Sequence, residues 1–193
     1  MTEYEFTLKF KLPDAEADPA NYLEALGEAG CNDALAGIGQ AGHISLEFIR
    51  EAGSVEEAIY SAITDVHSAI EDATLIEASP DYVGLTDIAN MLNVSRQYVR
   101  KLMEQNRGAF PSPVHEGTSA IYRFSEILHW LTSNTKREVK TTLKEIAELN
   151  MRLNLYRQVK KIESSNKDAD NCISQPIPKE IQNILKDTPH LAS

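Results

Sequence analysis

An α+β fold is what this sequence predicts, on three observations. Apolar and polar residues alternate from Tyr4 to Leu12, the period of two of a strand with one buried and one wet face. Farther along, Ile59, Ala62, Ile63, Val66 and Ile70 recur at the spacing of an amphipathic helix. After Ser79-Pro80-Asp81 the texture changes to short helical segments, and the charge balance reverses. A chain of 193 residues has room for one large domain or two small ones.

The elements follow in order. Tyr4, Phe6, Leu8, Phe10 and Leu12 form the buried side of the first strand. Asp18 then caps a helix with Pro19 at its first position, Tyr22, Leu23 and Leu26 supply the apolar stripe, and Gly27 and Gly30 end it. A short strand from Asp33 to Ile38 turns at Gln40-Ala41-Gly42 and returns as Ile44, Leu46 and Phe48. Ser54 with Glu57 is a capping box that starts the second helix, and a strand from Thr74 to Ala78 completes the unit. The order β-α-β-β-α-β is the split βαβ pattern of the ferredoxin-like fold, expected over residues 1–79. That fold hosts many unrelated functions and names none by itself. The glycine-rich anion loop with an arginine that an acylphosphatase needs is not present in this stretch, whose only arginine is Arg50.

Composition narrows the class. With 42% apolar and 25% charged residues the chain reads as an ordinary globular protein, which excludes collagen-like or wholly disordered structure. No run approaches the roughly 18 to 20 apolar residues of a membrane span. The start, MTEYEFTLKF, has neither a basic beginning nor an apolar core and is not read as a secretory signal. Cys31 and Cys172 lie far apart and fit no CxxC pattern, so a reducing cytoplasm is expected. The net charge of −10 conceals a division: residues 1–80 carry 16 acidic and 3 basic side chains, whereas residues 81–163 carry 9 and 13. Such asymmetry marks two jobs on one chain, and the basic middle is where nucleic acid would bind.

That middle begins with LTDIANMLNVSRQYVRKL, residues 85–102. Thr86 can cap a first helix burying Ile88, Ala89 and Leu92, with Ala89 small enough for two helices to cross closely. Asn93 occupies the turn, where a left-handed backbone is needed, and Val94 plugs it. Ser95 caps a second helix with Val99 and Leu102 inward, leaving Arg96, Gln97, Tyr98, Arg100 and Lys101 toward solvent. Arginine can grip guanine and glutamine adenine, while lysine and tyrosine suit phosphates. PSPVHEGTSAIYRF then reads as strand–turn–strand, and Ser125 caps a helix with Ile127, Leu128, Trp130 and Leu131. A helix-turn-helix followed by a β-hairpin and a packing helix is a winged helix-turn-helix, expected over residues 80–134.

GLTDIANMLNVSRQYVRKLM, FPSPV and YRFSEILHWL together resemble the AlpA/excisionase branch of the MerR-like winged helix-turn-helix domains, over about residues 83–132. The resemblance implies binding of double-stranded DNA, with the recognition helix in the major groove. By matching position it assigns Ser95, Arg96, Gln97, Tyr98, Arg100 and Lys101 to the helix contacts, and Thr118, Ser119 and Arg123 to the wing. Asn93 stands where glycine is common, and EGTSAIYR is poorer in arginine than is usual for the wing.

A long C-terminal helix is expected over residues 135–163, with Val139, Ile146, Leu149, Leu153 and Tyr156 at three-four spacing. It either packs back on its own domain or forms a seam between two chains, and the homodimer that two DNA half-sites require favours the seam. The tail, residues 164–193, is polar and broken by prolines, with Ile177, Ile181, Ile184 and Leu185 on one side of a short helical stretch. The five histidines show no metal spacing, no GxSxG, HExxH or Walker sequence occurs, and the glycines at Gly37-Ile38-Gly39 are read as no more than a turn or a bulge. No enzyme, cofactor or metal is therefore expected. The sequence reads as a sequence-specific DNA-binding transcription regulator, a homodimeric repressor, with a protein partner or small ligand at the N-terminal domain or tail. Two alternatives are an antitoxin-type interaction protein that neutralises a partner, for which a basic partner would suit residues 1–80, and a phage or plasmid recombination accessory factor.

Overall fold

The computed structural model describes residues 1–168, so the tail from residue 169 lies outside the described residues. The chain is mixed α+β. Strand β1 (Thr2–Lys11) is followed by a 3-10 turn at Pro19–Tyr22 and helix α1 (Leu23–Glu28). Strands β2 (Ala34–Gly37) and β3 (His43–Ala52), helix α2 (Val55–Ala69) and strand β4 (Thr74–Ser79) come next. The sheet is antiparallel, in the order β2-β3-β1-β4. Alternation dictates its sidedness. Tyr4, Phe6, Leu8 and Phe10 of β1 are buried with Ile44, Leu46 and Phe48 of β3, and the Phe6 and Phe48 rings, paired in register, stack at 5.2 Å.

Helix α2 supplies Ala58, Ile59, Ala62 and Val66 to the same core, each fully buried. Ser54 Oγ accepts from the Glu57 amide at 3.1 Å, while the Glu57 carboxylate accepts from the Gly53 amide, one residue before the position a capping box uses. At the other helix, Asp18 accepts from the Ala20 amide at 2.9 Å, as an N-cap should. The first turn there is 3-10, with three residues per turn, which rephases the stripe: Leu26 is buried but Leu23 is 40% exposed, contrary to the expected pattern. Gly42 is required where it stands. Its φ is +69°, and a Cβ would lie 2.3 Å from the Ala15 carbonyl oxygen.

Beyond the sheet come the short strand β5 (Tyr82–Val83), helices α3 (Leu85–Met91) and α4 (Arg96–Gln105), strand β6 (Tyr122–Arg123) and helix α5 (Phe124–Asn134). Their core holds Val83, Ile88, Ala89, Val99, Tyr122, Phe124, Ile127, Leu128, Trp130 and Leu131. Helix α6 (Thr141–Asp168) follows an irregular link and starts six residues later than the sequence pattern suggests. Contacts divide the chain into two units, Met1–Leu155 and Tyr156 onward. Within the first, α6 serves both cores: Ile146 and Leu149 are buried in the sheet's cluster, and Ala147 is buried in the helical one. Leu153 packs against the first cluster, Val139 and Leu143 against the second. Of the residues expected at the seam, Val139, Ile146, Leu149 and Leu153 thus pack within the chain, while Tyr156 is exposed.

A buried polar knot holds this junction. The Asn154 side-chain amide donates to the Ala78 carbonyl at 2.8 Å and accepts from the Ala78 amide at 2.9 Å, completing β4 as a neighbouring strand would. It also donates to Asp81, which is fully buried and ion-paired to Arg123. Asn150 donates to the Pro80 carbonyl at 3.4 Å, and the Phe124 amide donates to the Asp81 carbonyl at 2.8 Å. Five segments meet in one network.

Candidate nucleic-acid interface

Helix α3 starts at Leu85 and not after Thr86. Gly84 has no side chain to cap it, and the Asp87 carboxylate reaches back to accept from the Gly84 amide at 2.8 Å. Four residues separate α3 from α4, and they contain the backbone device that sets the crossing. Asn93 has φ +51°, in the left-handed region that asparagine tolerates, and the Val94 amide donates to the Ala89 carbonyl at 2.9 Å. Val94 packs against the helical core as expected. Arg137 donates to the Leu92 carbonyl and ties down the end of α3. Sequence reading missed this bond, which joins residues 45 apart.

Ser95 caps α4, its Oγ accepting from the Tyr98 amide at 3.1 Å. Val99 is buried and Leu102 packs against the core, which turns the opposite face of the helix to solvent. Ser95, Arg96, Gln97, Tyr98, Arg100 and Lys101 are all exposed on this one element. Tyr98 is 42% exposed, so an aromatic ring stands partly in solvent on this face. Among the described residues no carboxylate pairs with Arg96, Arg100 or Lys101. Three cations and a ring are therefore held outward on a capped helix, an arrangement that can meet phosphates and base edges together.

The segment after α4 departs from the expected hairpin. Only His115 and Ile121 bridge, and the return strand β6 pairs with β5 instead, Tyr82 opposite Arg123 and Val83 opposite Tyr122. Phe110 anchors the loop's beginning against the Trp130 and Tyr122 rings, at 5.0 and 6.0 Å. Thr118 and Ser119 stand exposed at the loop's tip, as expected, with Glu116 nearby. Burial, then the charge of Glu116, pushes the Tyr122 phenol above its ordinary range.

Arg123 is a correction. It was expected to reach DNA from the wing, but it is only 8% exposed, is ion-paired to Asp81 and lies over the Tyr82 ring, 4.2 Å from the centroid. Pairing β6 with β5 puts Arg123 beside an aromatic ring and a buried carboxylate, and that carboxylate needs its charge. Ser125 likewise does not cap α5: the helix begins at Phe124, and Ser125 is buried with its hydroxyl 3.3 Å from the Met151 sulfur. The one signal that could have revealed Arg123's role was Asp81, an acidic residue flanked by Pro80 and Tyr82 at the start of an otherwise basic segment.

No family model, no curated protein and no solved structure matches the chain. Among the described residues no group of histidine, cysteine and acidic side chains could hold a metal ion, and no helix is long and apolar enough to cross a membrane.

Proposed function

We propose that this chain is a sequence-specific double-stranded DNA-binding regulator in which α4 lies in the major groove. The observation that carries this reading is the outward face of α4, where Arg96, Arg100, Lys101 and Tyr98 stand exposed, with no carboxylate paired to the three cations among the described residues, behind a left-handed Asn93 turn. The α3–turn–α4 pair and α5, with a short β5–β6 ladder and an exposed loop, support assignment as a winged helix-turn-helix with a reduced wing. The resemblance of residues 83–132 to the AlpA/excisionase branch points the same way. Read from the other edge the sheet order is β4-β1-β3-β2, which supports a ferredoxin-like fold for residues 1–79.

In this reading Arg96 and Gln97 reach base edges, and Arg100 and Lys101 with Tyr98 hold phosphates. Thr118 and Ser119 supply neutral phosphate contacts from the loop, while Arg123 orders the loop's return strand from below. A single domain making few phosphate contacts gains little from counterion release, so two copies on an inverted repeat are the natural arrangement, and repression follows from occupancy. With Ile146 and Leu149 already buried, the apolar residues of α6 open for pairing are Leu155, Tyr156, Val159 and Ile162, each exposed by 42% or more.

Selection from a pool of random duplexes at two salt concentrations tests the reading. The expected result is an enriched inverted repeat. Arg96→Ala should cost about 1 to 3 kcal/mol and relax one position, whereas Lys101→Ala should weaken all sequences alike and reduce the salt slope by about one. No enrichment, with both variants indistinguishable from wild type, would leave the helix pair a scaffold.

A further inference from the structure

The sheet has a second face, and it is unlike an ordinary wet surface. One side is filled by the aromatic and aliphatic core; of the residues pointing the other way, Glu3, Glu5, Glu47, Ile49 and Glu51 are exposed, while Thr7, Lys9 and Ser45 are half-buried and Lys9 pairs with Glu77. Glu3 pairs in register with Glu51, Glu5 with Ile49, and Glu47 with Leu35 on its other side. Like charges directly opposite on neighbouring strands destabilise a sheet. None of Glu3, Glu5, Glu47 or Glu51 has an ion-pair partner among the described residues. Amid these carboxylates stand two aliphatic side chains in water, Leu35 at 71% and Ile49 at 57% exposure, diagonal neighbours on adjacent strands.

This face is also the floor of a groove of about 730 Å³ whose far wall includes the turn between α3 and α4. The far wall offsets the floor only in part: Arg137 keeps its charge while bonded to the Leu92 carbonyl, Lys140 stands beside Glu138, and neither cation is ion-paired to Glu3, Glu5 or Glu47 among the described residues. Two such faces brought together would set carboxylate against carboxylate, so the charge argues against self-association here, as it does against nucleic acid.

We propose that the open sheet face is a docking surface for a basic segment of another protein, one that places an apolar side chain between Leu35 and Ile49 and lysines or arginines on either side. Charge complementarity selects this occupant: it removes apolar surface from water and relieves the Glu3–Glu51 repulsion in the same step. The inference goes beyond DNA binding and does not depend on it.

The test is fluorescence anisotropy with the full chain and a short labelled peptide of alternating lysine and leucine, in the absence of DNA, against a glutamate–leucine counterpart. The lysine peptide should bind and the glutamate peptide should not. E5K/E47K should weaken binding by roughly tenfold or more, and the neutral E5Q/E47Q should fall between it and wild type. E24K/E28K, which changes net charge equally but lies on α1, should change affinity less than about twofold. Equal losses in the two lysine variants would reduce the effect to general attraction by an acidic protein and overturn the proposal. So would self-association of the wild type that E5K/E47K abolishes without peptide, since a second copy would then own the face.

Discussion

Arg123 and Arg96 are the same residue type, and only their surroundings separate a folding role from the binding role proposed for Arg96. The Arg123 guanidinium pairs with Asp81, whose exposure is zero, so removing it strands a carboxylate away from water. Arg123→Met should therefore cost about 3 to 5 kcal/mol in urea denaturation. Arg96→Ala, on an exposed helix face, should leave the midpoint within about 0.5 kcal/mol of wild type. Equal stability losses would sink the distinction. Cys31 offers a second contrast at this scale. Burial, then the charge of Asp65, pushes its thiol up to about 11. The native thiol is thus protonated at neutral pH, and iodoacetamide should label it far more slowly than the same residue in urea. Because the folded value is raised, the unfolded chain ionises first as pH climbs, and this group's contribution to stability falls from the ordinary thiol range up to about 11.

The α3–α4 pair stands on two local devices, the Asn93 turn and the Ser95 cap. Ser95→Ala should cost about 1 kcal/mol. Asn93→Gly should be tolerated, whereas a β-branched residue forced to φ +51° should lose roughly 1 to 3 kcal/mol, measurable as a fall in Tm for Asn93→Val alone. These elements were legible because periodicity and capping are written locally: the alternation of β1, the stripe of α2, and Ser95 ahead of Val99. The 112–123 segment was not. A strand–turn–strand pattern does not say which partner the return strand takes, and Tyr122–Arg123 pairs with Tyr82–Val83, some forty residues earlier in the chain. That exchange reduces the expected hairpin to one bridge and buries Arg123.

At the scale of the whole molecule, α6 decides how the parts behave together. Ile146 and Leu149 complete one core and Ala147 the other, while Asn154 closes the β4 edge and holds Asp81. The two cores should consequently lose stability together. Ile146→Ala removes a buried side chain from the sheet's cluster and should cost about 2 to 5 kcal/mol. Trp130, the only tryptophan, sits in the other cluster, so its fluorescence reports the half that the substitution does not touch. Fluorescence and far-ultraviolet circular dichroism should shift to the same lower midpoint. A fluorescence transition left at the wild-type midpoint would show that α6 does not couple the cores.

The sequence by itself determined the elements of the sheet unit and their order, the helix pair with its Asn93 turn, and the outward basic face of α4. Period, capping residues and backbone tolerance act within a few residues and can be read along the chain. Only the tertiary structure decided that the apolar stripe of α6 closes two cores within one chain, that Arg123 neutralises a buried carboxylate, and that four glutamates share an open sheet face with Leu35 and Ile49. Each of these is a choice of partner between residues distant in sequence, made by burial and by the cost of an unpaired charge.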